Sequence, residues 1–145
     1  MTNLTLARSY LLKAWKRLKI LPVLMEEEAY SDVVREAQEI VELALKGMLR
    51  HVGIEPPKWH DVGPLVVEQR DRWPRGVQEL CDELAETSRW LRKEREFSFY
   101  GEIDFIPSEQ YVAADAERAM TEARQAVTAA RMVIDPKGEL IKERS

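Results

Sequence analysis

The residues best able to do chemistry are gathered in one stretch, Arg89-Trp90-Leu91-Arg92-Lys93-Glu94-Arg95-Glu96-Phe97-Ser98-Phe99-Tyr100-Gly101-Glu102. Arg92 and Arg95 share a helix face, and an aromatic cluster follows at once. Guanidinium forks pair with phosphate oxygens and an exposed ring stacks on a nucleobase, so the pattern suits a nucleotide or an RNA phosphate. The same residues also read as an arginine-rich helix end that complements the helix dipole, with Phe97 and Phe99 plugging the core. Spacing alone leaves both open.

Other chemistries find little support. There is no glycine-rich phosphate loop, no His/Cys cluster at metal spacing and no Glu-x-x-His pair for a di-iron bundle, so neither a metal nor a cofactor is expected. The single cysteine, Cys81, falls on an apolar stripe with Val77, Leu80 and Leu84 and reads as a small core hydrophobe. Such usage fits a reducing cytoplasm. His60 can be brought to a site by folding, or it can act with Asp61 in capping a helix and fixing the Pro56-Pro57 loop. Trp59 and Trp73, on either side of that short helix, read as covers for the core edge.

The elements that must position these residues are all helical. From Leu4 to Leu21 apolar residues step by three and four, and Pro22 stops the pattern; Arg8, Lys13, Lys16, Arg17 and Lys19 form the opposite, basic face, either solvated or meeting RNA or a membrane surface. A second helix, about Glu27 to Val52, carries the stripes Val33/Ala37/Ile40/Ala44 and Val34/Val41/Leu45/Met48/Val52, a sector wide enough to be central, and Gly53 ends it. Glu26-Glu27-Glu28 precedes it, where the dipole favours negative charge, and Glu42, Lys46 and Arg50 are spaced for surface pairs. Asp61 stands as the N-cap of a short third helix through Leu65, Val66 and Gln69 that tolerates Pro64. After Pro74 and Gly76 a fourth helix buries Val77, Leu80, Cys81, Leu84, Ser88 and Leu91 and runs to about Arg95, with an irregular stretch from Phe97 to Pro107. Ser108 opens a fifth, striped by Val112, Ala116, Ala119, Ala123, Val127, Ala130 and Ile134, whose small residues allow close approach of a neighbour within the chain or across a dimer.

The expectation is an all-α, up-and-down helical bundle of about five helices, four long and one short, in residues 1–134, followed by a polar C-terminal tail in 135–145. A net charge of −4 exerts no global pull on nucleic acid, so local charge decides. The N-terminal stretch lacks the apolar run of a signal peptide and no segment approaches the ~20 apolar residues of a membrane span; cytoplasmic residence and no membrane partner are expected.

Three blocks resemble the HEPN family of prokaryotic helical domains, whose name refers to nucleotide binding. They are Ala37 to Leu49, leading through Gly53-Ile54-Glu55-Pro56-Pro57 to His60-Asp61-Val62; Arg95 to Glu102; and Ile106-Pro107-Ser108-Glu109-Gln110-Tyr111 with the alanine-striped helix. The resemblance implies a homodimer encoded beside a small nucleotidyltransferase and acting with it as a toxin–antitoxin-like pair. Many members are metal-independent ribonucleases in which an arginine and a histidine four to six residues later form a composite site, the histidine moving the proton. Here the slot after Arg95 holds Tyr100, a poor base at a pKa of about 10. In some relatives a tyrosine near this motif receives a nucleotide from the partner transferase, which makes Tyr100 a candidate acceptor. The implied nucleotide- or phosphate-binding set is Arg92, Arg95, Glu96, Tyr100 and His60, with Arg95 and Tyr100 the candidate catalytic pair. A ribonuclease toxin using Arg95 with Tyr100 or His60, and a non-catalytic oligomerisation scaffold in which the arginines pair with Glu94, Glu96 and Glu102, are the other readings.

Overall fold

A computed structural model describes residues 2–58, 61–99 and 110–142, with the side chains of 95–99 excepted. The elements are α1 (Asn3–Arg17), α2 (Ile20–Glu26), α3 (Tyr30–His51), α4 (Gly63–Glu68), a 3₁₀ turn (Arg70–Arg72), α5 (Arg75–Gln78), α6 (Cys81–Phe99) and α7 (Ala113–Ile134). No strand occurs among the described residues, so the chain is a helical bundle. The two interleaved stripes of α3 make it the axis: Val33, Val34, Ala37, Ile40, Ala44, Leu45 and Met48 are all fully buried, and α3 packs against α7, α1 and α6 in that order of extent.

The alanines of α7 are used within the chain. Ala116, Ala119, Ala123, Ala126 and Ala130 are fully buried, and α7 makes its broadest contact with α3. Short side chains allow that approach, because helix separation follows the size of the residues at the contact. Gly47 continues the logic from α3: a Cβ there would lie 3.2 Å from Ile134 Cδ1 and 3.4 Å from the Ala7 carbonyl oxygen. Polar ties close the α6–α7 side, where the Arg118 guanidinium sits 3.8 Å from the Trp90 ring centre and Gln125 donates to Glu83 at 3.1 Å.

Several boundaries differ from the sequence expectation, and each difference has a local cause. Pro22 does not end the first helix. α1 stops at Arg17, and Pro22 stands in the first turn of α2, where a missing N–H removes no intrahelical bond. Glu26-Glu27-Glu28 ends α2 instead of leading directly into α3. Ala29 N–H donates to the Leu24 carbonyl at 2.9 Å and Glu28 N–H to Met25 at 3.0 Å, with Glu28 at a φ of 56°, and α3 therefore begins at Tyr30. That is a Schellman stop with glutamate where glycine is usual. Gly53 performs the same stop on α3 as expected, at a φ of 80° with Ile54 N–H donating to the Leu49 carbonyl at 3.0 Å.

Asp61 lies one position before the N-cap, which is Val62, and accepts from Gly63 N–H at 3.0 Å as an Asx turn does. The single turn α5 precedes α6, whose helix continues through Phe99 rather than stopping near Arg95. α7 starts at Ala113, with Asp115 accepting from Val112 N–H at 3.0 Å; Val112 is 55% exposed and so leaves the buried stripe. Ser108, the expected opener, lies outside the described residues. Cys81 is fully buried and burial raises its thiol pKa, while Trp73 donates from Nε1 to the Val66 carbonyl at 2.8 Å. Beyond α7, Asp135 accepts from the N–H groups of Leu140 and Ile141 at 3.0 and 2.8 Å, and Ile141 is buried.

Two predictions follow from this packing. A Cβ added at Gly63 would meet the Ala85 Cα at 2.9 Å and its carbonyl oxygen at 3.1 Å, backbone that cannot rotate away. Gly63→Ala should destabilise the fold by about 1–3 kcal/mol in urea denaturation. Burial alone would raise the Asp135 pKa, but the backbone N–H groups of Leu140, Ile141 and Glu139, with Arg131 nearby, outweigh it and hold the carboxyl below its ordinary value. A depressed folded-state pKa stabilises above the unfolded-state value and is lost as pH falls through the folded one. Wild-type stability should thus drop below about pH 4, and Asp135→Asn should be less stable at neutral pH with a shallower acid decline, read from urea midpoints across that window.

Candidate functional site

The described part of the arginine-rich segment is the second half of α6, and it stands on a polar seam between α3, α6 and the start of α4. On α3, Gln38 is 4% exposed; its Nε2 donates to Glu42 Oε2 at 2.9 Å, and Glu42 Oε1 pairs with Lys46 Nζ at 2.7 Å. Facing them from α6, Ser88 donates its hydroxyl to Asp61 Oδ1 at 2.6 Å. Arg92 follows Ser88 by one helical turn and lines, with Gln38, Glu42 and Ser88, a cavity of about 10 Å³. That volume is about the least that holds one water. Gln38 Oε1 is buried there without a hydrogen-bond partner among the described residues.

The seam fixes direction and charge. Asp61 accepts from both Ser88 and Gly63 N–H, so one carboxylate ties the loop after α3 to α4 and α6. Two carboxylates, Glu42 and Asp61, stand with two cations, Lys46 and Arg92, and the seam itself is close to neutral. Arg92 is half-buried and held at its lip. Two residues after Arg92, about half a turn round α6, Glu94 Oε2 accepts from the Tyr111 hydroxyl at 2.6 Å. Burial, then the hydrogen bond to Glu94 and its negative charge, push the Tyr111 pKa far above its ordinary value, so the phenol stays protonated and keeps donating. This contact joins α6 to Tyr111, two residues before α7, tying together the two described flanks of the segment between them.

Of the residues expected at the site, Arg92 is placed at the seam. Arg95 and Glu96 lie within the α6 helix but their side chains, like all of Tyr100 and His60, fall outside the described residues, as does Trp59. The other histidine, His51, is the last residue of α3 and does not reach Arg92: nine residues separate it from Glu42, about 13 Å along a helix axis. Burial, then Arg8, lower its pKa. Glu42 and Lys46 pair as their spacing predicts, but Arg50 turns away from them and donates to Asn3 Oδ1 at 3.1 Å. The residues that sequence reading missed are Gln38, Ser88 and the bridging role of Asp61. A polar residue within an apolar stripe, Gln38 beside Ala37 or Ser88 beside Leu91, is the signal that was there to be read.

Among the described residues no group of His, Cys, Asp and Glu could hold a metal ion, and no helix is long and apolar enough to cross a membrane. The fold is an all-helical bundle in which one long helix, α6, carries both Arg92 and Arg95. The HEPN domain model matches residues 7–140, and the chain belongs to that family. Comparison with curated proteins and with solved structures gives no significant match.

The Asp61–Ser88 contact carries a prediction about the seam. Asp61→Ala leaves the Ser88 hydroxyl and the Gly63 N–H without their acceptor and should cost about 1–3 kcal/mol, whereas Ser88→Ala should cost about 1 kcal/mol. A double-mutant cycle in urea should return a coupling above roughly 0.5 kcal/mol; purely additive losses would show that the two side chains do not act together.

Proposed function

We propose that this HEPN domain homodimerises and binds a nucleotide or an RNA phosphate through Arg92, Arg95 and Tyr100, with Glu96 and His60 at the same site, and that it works with a small nucleotidyltransferase partner in a toxin–antitoxin-like pair. The observation that carries the reading is the position of Arg92. It sits at the lip of a seam built from three segments, and α6 continues without a break past Arg95 to Phe99, so the two arginines lie three residues apart on one helix. The Glu94–Tyr111 contact ties α6 to the stretch that leads into α7. Asp61, the residue after His60, is hydrogen-bonded to α6 one turn before Arg92, which keeps His60 in the proposed set. With Tyr100 in the slot of the family's histidine, the proposed role of Tyr100 is to receive a nucleotide rather than to move a proton.

Two measurements test this. Titration with ATP and with a short RNA should show saturable binding that Arg92→Ala and Arg95→Ala each weaken by roughly 10–100-fold, the loss expected for a charge-assisted hydrogen bond. Intact-mass analysis after co-expression with the partner transferase should show added nucleotide that Tyr100→Phe removes. Binding unchanged in both arginine variants sinks the site, and mass addition that persists in Tyr100→Phe sinks the acceptor role. Degradation of RNA in EDTA by the clean dimer, lost with Arg95→Ala, would replace the binding role with a ribonuclease.

A further inference from the structure

On the side of the bundle away from α6, α1, α2 and α7 enclose an open groove of about 390 Å³. Trp15, Leu18, Pro22 and Val127 form its apolar floor and walls, and Lys19, Arg124 and Arg131 supply charge. Among the described residues no carboxylate lines it, in a chain whose net charge is −4. The Arg131 guanidinium lies 4.7 Å from the centre of the Trp15 ring, so cation and floor are built as one unit and that ring face is covered. On the same short helix as Pro22, Ile20 and Val23 remain 43% and 58% exposed, extending apolar surface beyond the groove.

We infer that this groove docks an acidic, leucine-rich peptide segment of a partner protein, its apolar side chains seated on Trp15, Leu18, Pro22 and Val127 and its carboxylates meeting Lys19, Arg124 and Arg131. Its apolar floor with cations at the rim matches the way an amphipathic peptide is held, anchors in the groove and charges along its edge. Charge selects the occupant. Two copies of the chain meeting symmetrically through this face would set three cations against the same three, a repulsive arrangement. RNA would find the cations, but a phosphate backbone has no use for the apolar floor. An amphipathic segment with carboxylates along one edge satisfies floor and rim together. The groove shares no residue with the seam at Arg92, so this inference stands or falls independently of the nucleotide site.

The test uses the full chain and fluorescein-labelled, helix-forming synthetic peptides built from Leu with Glu, Leu with Gln and Leu with Lys, together with an oligo(U) RNA, all read by anisotropy. Saturable binding of the Leu/Glu peptide is expected, with the Leu/Gln and Leu/Lys peptides at least roughly tenfold weaker. Arg124 is exposed, so Arg124→Glu should keep the wild-type circular dichroism while weakening the Leu/Glu peptide roughly tenfold or more and strengthening the Leu/Lys one. Lys19→Glu, at a second exposed position, should act in the same direction. Equal affinity for all three peptides, no binding of Leu/Glu, or displacement of it by oligo(U) at matched concentration would overturn the inference. So would a change of oligomeric state in Arg124→Glu by sedimentation, which would assign the face to a second copy of the chain.

Discussion

The separation between α3 and α7 is the constraint on which the other contacts depend. Six alanines of α7 are buried, with α3 its broadest neighbour, and Gly47 on α3 opens the crossing near α1 and Ile134. A side chain much larger than alanine on that stripe would push α7 outward, and α1 and α6 share α3 as their common support. Because α3 is covered on several sides, it contributes little exposed surface of its own. Its polar residues have therefore been recruited into the seam with α6 rather than left to solvent, as Gln38 and Glu42 illustrate.

Burying Gln38 has an energetic cost that the seam only partly offsets, since one amide oxygen lacks a partner among the described residues. Such a position is unfavourable for stability alone, and it shares a cavity with Arg92. The neighbouring Asp61 shows the complementary arrangement, a carboxylate that takes two donors from different segments. Together they bring polar groups to the α3/α6 junction where the arginine-bearing half of α6 begins, beside the apolar Val41, Val62 and Leu91, while the first half of that helix buries Cys81 and Leu84.

What could be read from the sequence was local and periodic. The width of the apolar sector on α3, the stop at Gly53 and the burial of Cys81 all follow from residue type and spacing, and the structure agrees with each. Where reading failed, the deciding interaction was carried by the backbone or by distant residues. Glu28 has no glycine-like signature, yet it adopts the left-handed conformation because backbone hydrogen bonds from Glu28 and Ala29 close α2. Pro22 looks like a terminator until the helix restarts ahead of it. The seam draws on Gln38, Asp61 and Ser88, residues that periodicity treats as a stripe neighbour, a cap and a buried serine, and only tertiary contact unites them. The Glu94–Tyr111 contact is non-local in the same way. Within the candidate site the spacing of Arg92 and Arg95 on one helix was legible, whereas the support beneath Arg92 was not.

Cys81 offers one more consequence. It is the chain's only thiol, fully buried beneath the Val66 carbonyl at the junction of α4 and α6, with burial raising its pKa. A thiol in that state reacts with a soluble alkylating reagent only when the junction parts, so the alkylation rate of the native protein is a clock for that event. The molecule thus carries an internal timer for the parting of α6 from the end of α4, readable without introducing any label of its own.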